Sequence, residues 1–591
     1  MKVPVVMRSF DVARTGANTN EEALTPQHVG SNLLRKLFSL KFDDDPRLEA
    51  QPLYVPGVHM SDGKTHDIVY ICTMANNVWA FDANDGALIW KKGIGEGHPI
   101  TPKPNPGGGN EIDLFEINIK WGVLSTPVID IDTKTMFIVN WSSSDKSVAK
   151  AIHQLHAIDI TSGNPIHPAL TIAADASAQG APAIKFISWR QKQRASLLLT
   201  SVTDHTNGAV RKTLFVACGM THEENDPTHG WVLAYDTAEF KLAAAWCTAP
   251  NGHGTGIWQA GQGPSADENG DIYVMTGNYG QEDHPPAAGD LPESFVKLHY
   301  TAPSAGAAAK LEAVAWFTPF NDADRNPNGQ DNFQDYDLGS GGPLPIPGMS
   351  LVVGAGKDGV LYLLDKDTTK FGKGSNFGVL KQQPIFFTYF PGFGIDASQV
   401  HNLDRLWDGK THHLHGSPIF WQSPTHGPML CVWGENECLR AWTLDAGGKV
   451  TFLAKSAEIA SAGLGGKGGM PGGLLAVSAN GTTAGTGIVW ALAPIHGDAN
   501  RHVVQGILRA YDATNLDPIS NTDGTPRLKL LWDSNHIPNN AFNHSKFCPP
   551  IVTDGKVFVP TYDGKVDVYG LVLPARGQPR PSNATRIHRH H

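Results

Sequence analysis

The chain has 591 residues, with 57 acidic against 47 basic side chains for a formal charge of −10, and is 41% hydrophobic and 18% charged. This mild acidic balance, without a Lys/Arg stripe, argues against nucleic acid as a partner, and no stretch approaches the roughly 20 apolar residues of a bilayer span. Met1 to Asn20 hold no apolar run of signal-peptide length. The expectation is a soluble chain of open localisation, secreted or periplasmic if a signal was removed.

In chain order, the first predicted element is a strand at 34–42 (Leu-Arg-Lys-Leu-Phe-Ser-Leu-Lys-Phe) with no partner strand beside it. The first complete unit follows. Its turn into proline and an apolar strand is Gln-Pro-Leu-Tyr-Val from Gln51, its second strand is Ile-Val-Tyr-Ile-Cys, its third ends in Ala-Phe-Asp at 80–82, and an edge strand closes on Trp90. β-Branched and aromatic runs bordered by Gly and Asp read as strands.

The third-strand signature returns as Ala-Ile-Asp (157–159), Ala-Tyr-Asp (234–236), Val-Lys-Leu (296–298), Leu-Leu-Asp (363–365), Ala-Trp-Thr (441–443), Ala-Tyr-Asp (510–512) and Val-Asp-Val (566–568). Successive steps between the last residues are 77, 77, 62, 67, 78, 69 and 56. The proline turn recurs at 125, 263, 341, 416, 470 and 549, and is missing only from the third unit, where Arg194 leads into the strand.

Such units predict an all-β, eight-bladed β-propeller of four-stranded antiparallel blades, which buries blade faces against each other and leaves short edges. The last unit supplies three strands, near 549–553, 556–561 and 565–572, so strand 34–42 is expected to complete it and close the ring. One domain over 1–572 and a loosely attached tail over 573–591 follow. The excess length of each repeat belongs to loops, the largest near 100–120, 165–193, 280–293, 320–338, 370–412 and 455–469.

Ala-Phe-Asp-Ala-Asn-Asp-Gly-Ala-Leu-Ile-Trp (80–90) and Ser-Thr-Pro-Val-Ile-Asp (125–130) resemble the tryptophan-docking blades of pyrroloquinoline-quinone (PQQ) dependent dehydrogenases. Gly-Ile-Trp-Gln-Ala-Gly (256–261), Gly-Lys-Asp-Gly (356–359), His-Gly-Ser-Pro (415–418) and Ala-Tyr-Asp-Ala-Thr-Asn-Leu (510–516) extend the resemblance to PQQ-like propeller repeat proteins, from about 8 to 572. The resemblance implies the propeller fold, and an oxidoreductase with PQQ and calcium. The chain departs from it in three ways: no adjacent cysteine pair, no CxxCH haem motif, and no Glu, Asn and Asp set that matches the family's ligands residue by residue. Six cysteines lie at 72, 218, 247, 431, 438 and 548, and only Cys431 and Cys438 sit where a tight turn could join them.

In a propeller the turns into the innermost strands converge at one mouth of the channel. Candidate site residues are therefore Gln51, Trp121, Ser125, Trp258, Gln262 and Ser417 for a cofactor, with Ser340 and Met470 beside them, and His415, His544 and Lys546 for acid–base chemistry. The clusters Thr-His-His-Leu-His (411–415) and Phe-Asn-His-Ser-Lys-Phe (542–547) point to His413, His415 and His544 as ligands for copper, zinc or iron. His412, His413 and His415 cannot all face one way in an extended chain, because alternate side chains point to opposite faces. His222 and His229, with Glu223, Glu224 and Asp226 between them, form a second polar loop that offers cation ligands. Two functions are compatible with these features: an oxidoreductase on a small polar molecule with a quinone or a metal, or a non-catalytic platform for a polypeptide or glycan. Changing both His415 and His544 to Ala separates them, since a platform keeps its partner.

Overall fold

The computed structural model describes residues 2–101, 117, 119–176, 183–203, 210–221, 228–280, 288–304, 306–318, 337–357, 359–366, 379–384, 412–445, 447–461 and 469–572. Strands Leu53–His59, Thr65–Cys72, Asn77–Asp82 and Leu88–Gly93 pair antiparallel in chain order. The repeat aspartate has a local job at the end of the third strand. Asp82 accepts a bond from the Asn84 N–H at 2.7 Å, Asp159 from Thr161 at 2.8 Å, Asp236 from Ala238 at 2.9 Å and Asp512 from Thr514 at 2.9 Å. An Asp carboxylate bonding the backbone two residues on is what turns the chain into the edge strand.

Each sequence repeat among the described residues folds as one such set of antiparallel strands, those of the sixth and seventh being joined by a bridge between Lys455 and Arg527 into one ten-stranded sheet, and the first strands of the sets place the functional turns. After Leu53–His59 these strands are Val128–Asp130, Leu198–Thr203, Ser265–Ala266, Leu344–Pro345, Ile419–Ser423, Leu474–Ser478 and Ile551–Thr553. The weaker signatures at 296–298, 441–443 and 566–568 lie in third strands Phe295–Thr301, Cys438–Leu444 and Lys565–Leu571.

The hydrophobic core lies between sheets. Ile68 and Tyr70 pack on Ile129 and Ile138, Phe137 and Leu155 on Leu214 and Leu233, Val232 on Val274, and Met275 on Tyr362. Leu363 packs on Leu430, Cys431 on Val489, Trp490 on Val557, and Phe558 on Ile71. That last contact joins the final sheet to the first, so the array is a closed β-propeller. The predicted closure is present in detail: Leu34–Lys41 pairs antiparallel with Lys565–Leu571.

Tryptophan docking is visible where Trp90 lies over Gly163, whose φ is +70°; a Cβ there would fall 2.9 Å from the indole. On the closing strand Phe38 takes the equivalent place over Gly86, φ +78°, with the same 2.9 Å clearance. Cys431 and Cys438 are free thiols, so the bridge their spacing allowed is not formed.

The N-terminal segment, which holds no long apolar run, ties the sheets together. Val5 bridges Tyr54 of the first sheet, Val6 O accepts from Ile129 N of the second, Val12 O from Ala266 N of the fourth, and Thr15 O from Phe420 N of the sixth. Gly16 O accepts from Val477 N and Asn18 Nδ2 donates to Val552 O, reaching the seventh and eighth. Buried Arg14 donates to the carbonyls of Leu197, Pro264 and Arg8. Residues 5–18 thus run around the inner strands of the ring. The longest regular helix described, Pro26–Gly30, is a single turn capped by Thr25, and no helix among the described residues is long and apolar enough to cross a membrane.

Candidate functional site

The turns that enter the inner strands do meet. Gln51 N donates to Thr126 Oγ1 at 2.9 Å, Leu197 N to Thr126 O at 3.1 Å, Ser196 Oγ to Gln262 O, Gly342 N to Ser417 Oγ at 2.8 Å, Ser340 Oγ to Leu414 O at 2.8 Å, and Ser545 Oγ to Leu48 O. Most of these turn polar groups are committed to one another and to the N-terminal segment. Gln51 Oε1 accepts from Ser9 N, and Gln262 Oε1 from Ser9 Oγ. Met470 lends its carbonyl to Ala499 N. Ser125 Oγ is buried with no hydrogen-bond partner among the described residues.

One turn of the first sheet delivers Arg47 and Glu49, the third sheet's entry delivers Lys192 and Arg194, and the eighth delivers Lys546. Glu49 is 2% exposed; Arg194 Nη1 bonds it at 2.5 Å, Arg47 Nε is 3.7 Å away and Lys546 Nζ 3.9 Å. Burial opposes ionisation of Glu49, but Arg194, Lys546 and Arg47 outweigh it and hold its pKa down at about 2. Lys546 feels the reverse. Burial pulls its pKa down to about 7; Glu49 resists, while Arg194, Lys192 and Arg47 add to the fall. Lys546 Nζ also bonds Asn500 Oδ1 at 2.5 Å.

Aromatic faces lie under these cations. Lys192 Nζ is 4.4 Å from the Trp121 ring and 5.7 Å from that of Trp258, Arg47 is 5.0 Å over Trp121, and Arg194 and Lys546 are 4.7 and 5.3 Å from Phe547. Trp121 is fully buried, whereas Trp258 is half-buried and can present a face to a ligand. The indole of Trp258 lies against the backbone of Gly219, where an added Cβ would come within 2.9 Å of it.

A Glu, Asn and Asp set, which the sequence alone did not yield, assembles around Gly277 beside Trp258. Asp337 accepts from Asn278 N at 3.1 Å and from Lys357 Nζ at 2.6 Å; Glu293 accepts from Leu338 N at 2.7 Å and its own N–H bonds Gly277 O. Its members, Asn278, Glu293 and Asp337, are spread over 60 residues and share no local pattern. A Cβ at Gly277 would sit 2.4 Å from Asp337 Oδ1, so the glycine is what lets the carboxylate approach.

The histidines divide. His413 and His415 converge on Glu435, with His415 Nε2 3.1 Å and His413 Nδ1 3.9 Å from Oε1, while His412 turns to Glu437 at 3.7 Å. This is the alternation expected of an extended chain. His544 is not in that group: the third potential donor brought to His413 and His415 is Glu435. His544 is 2% exposed, neither ring nitrogen has a hydrogen-bond partner among the described residues, and burial pulls its pKa down to about 3, which keeps it neutral. His229 is buried and bonds Ala249 O through Nδ1, away from solvent; residues 222–227 of the acidic loop lie outside the described residues, as do the tail 573–591 and most of the loops at 100–120, 320–338 and 370–412.

No protein-family model and no curated protein sequence matches the chain. Among solved structures, the quinohemoprotein alcohol dehydrogenase from Comamonas testosteroni superposes with a TM-score of 0.50 at 14% identity, covering 98% of this chain and 82% of that one. The chain has the quinoprotein-dehydrogenase-like β-propeller fold. Quinohemoprotein alcohol dehydrogenase ADHIIG from Pseudomonas putida HK5 gives a TM-score of 0.47 at 15% identity over 98% of this chain and 82% of that one, and a europium-containing methanol dehydrogenase 0.45 at 14% over 95% and 84%. In the quinoprotein-like propeller described here, the Glu49 cluster, the Trp258 face and the Asp337 group lie on the turns of the first, third, fourth, fifth and eighth sheets.

Proposed function

We propose that this quinoprotein-like propeller, counted as eight blades, is an oxidoreductase acting on a small polar molecule at the channel mouth, with a planar, carboxylate-bearing quinone of the PQQ type held beside Trp258. The observation that carries the reading is the half-buried Trp258 ring with Lys192 5.7 Å from its centroid and Asp337, held by Lys357, next to it across Gly277. A planar polyanion is matched by stacking and by basic groups: Arg47, Arg194 and Lys546 surround one carboxylate, Glu49, and Lys192 shares the Trp121 ring with Arg47.

The donor chemistry agrees with calcium as well. Asn278, Glu293 and Asp337 are hard oxygen donors of the kind calcium takes. When bound, a quinone supplies the acceptor for the electron pair removed from the substrate. This chain's residues supply the rest. Trp258 orients the ring, the cationic cluster fixes its carboxylates, and Asp337, steered by Lys357 and the Asn278 N–H, is placed to take the proton of a substrate hydroxyl.

The test is to add PQQ and calcium to the purified chain, follow tryptophan fluorescence, and measure reduction of an artificial dye with a panel of alcohols and sugars. Saturable quenching is expected, weakened at least tenfold in Trp258→Ala, with dye reduction lost in Asp337→Asn. Absence of saturable quenching at every calcium concentration would sink the reading.

A further inference from the structure

We infer that His413, His415 and Glu435 form a binding site for a divalent first-row transition metal, separate from the Trp258 group and independent of any quinone.

The site follows from local geometry. His413 and His415 are two apart in an extended stretch, so their rings leave the chain on the same side. Their interplanar angle of 66° with centroids 5.8 Å apart lets two nitrogens aim at one point from different directions. Glu435 comes from the turn after strand Gly427–Val432, and its N–H donates to His413 O at 3.0 Å, which fixes the register between carboxylate and imidazoles.

Three donor atoms, one from each residue, lie within 4.8 Å of one another. Ligands at about 2.1 Å from a tetrahedral ion sit roughly 3.4 Å apart. The separations of 3.1 Å for His415 to Glu435 and 3.9 Å for His413 to Glu435 bracket that figure. Among the described residues no other trio of His, Cys, Asp or Glu meets this condition.

The donor set selects the class of ion. Two imidazoles and one carboxylate suit zinc and iron(II), whereas magnesium and calcium prefer all-oxygen cages. Burial is graded in the way a usable site needs. Glu435 and His415 side chains are 2% and 4% exposed, which holds them rigid, and His413 is 21% exposed, which gives the ion a way in and leaves coordination positions open. His415 also packs on Phe547 at 6.0 Å between ring centroids, so the metal would stand beside the Lys546 end of the cationic cluster.

The test uses the full chain with tail residues His588, His590 and His591 changed to Ala, since these would themselves capture metal. After chelator treatment, cobalt(II) is titrated and read by calorimetry and by its visible absorption, then displaced with zinc. One equivalent with a visible band is expected, at least tenfold weaker in Glu435→Gln and in His413→Ala and unchanged in the exposed control His98→Ala. His413 is the most exposed of the three ligands, so His413→Ala keeps the test valid if Glu435→Gln fails to fold. Binding of less than one equivalent by the parent, or equal binding by parent and folded ligand variants, overturns the assignment. Because no quinone or calcium is added, the outcome does not depend on that of the PQQ experiment.

Discussion

At Lys546 a lysine is held where it titrates near neutrality. Its folded pKa near 7 lies below the 10.5 of an ordinary lysine, so between these values the unfolded chain carries the extra proton. Stability therefore rises with pH across that window, and below pH 7 the full cost of the buried charge is present. Denaturant unfolding at pH 6 and pH 9 should show Lys546→Met gaining on the parent at the lower pH, by on the order of 2 kcal/mol or more relative to the higher. Equal differences at both pH values would contradict the assignment. An anionic ligand responds oppositely: its affinity should fall about tenfold from pH 6 to pH 8 as Lys546 loses its proton, and Lys546→Arg should flatten the profile. Lys546, Trp258 and His415 were legible because they occupy the turn just before an inner strand. Glu49, Arg47 and Asp337 were not, since each is a charged loop residue with a contact on another sheet: Arg194 for Glu49, Trp121 for Arg47 and the Asn278 N–H for Asp337. Glu435 was within reach, as an acid in Glu-Asn-Glu opposite the histidine cluster, but nothing short of strand register says that it faces His413 rather than His412.

The sheets depend on small contacts that recur between neighbours. Gly163 sits at positive φ with its Cα face under Trp90, so Gly163→Ala incurs about 1–2 kcal/mol for the left-handed backbone before any clash is counted. Phe38→Ala on the closing strand should lower stability by about 2 kcal/mol, less than for a fully buried ring because Phe38 is half-buried. Chemical denaturation of both variants checks these values, and a Phe38→Ala protein as stable as its parent would show that the closing strand is held by backbone pairing alone. The repeats and the orphan strand were readable because β-branched alternation and the Asp turn are local signals. Residues 5–18 carry none: their bonds go to one sheet after another, and no alternation marks such a path.

For the whole molecule, Arg14 is the firmest tie between that path and the ring. It is fully buried, its pKa falls to about 9 through burial despite nearby Asp11, and it serves three carbonyls. Arg14→Met should cost roughly 3–5 kcal/mol, because the buried acceptors lose their donor, and a thermal midpoint within a degree of the parent would rule this out. The path also sets a clock. Asn18 bonds Val552 and Leu34–Lys41 pairs with Lys565–Leu571, so these residues acquire those neighbours only when the last strands have been synthesised. At about 5–20 residues per second the wait is roughly half a minute to two minutes. Throughout it, strand Leu34–Lys41 and the open face of the first sheet lack their partners in the last sheet, and a protein factor that shields exposed strand edges on the ribosome would act on this chain for longer than on one whose blades each complete themselves.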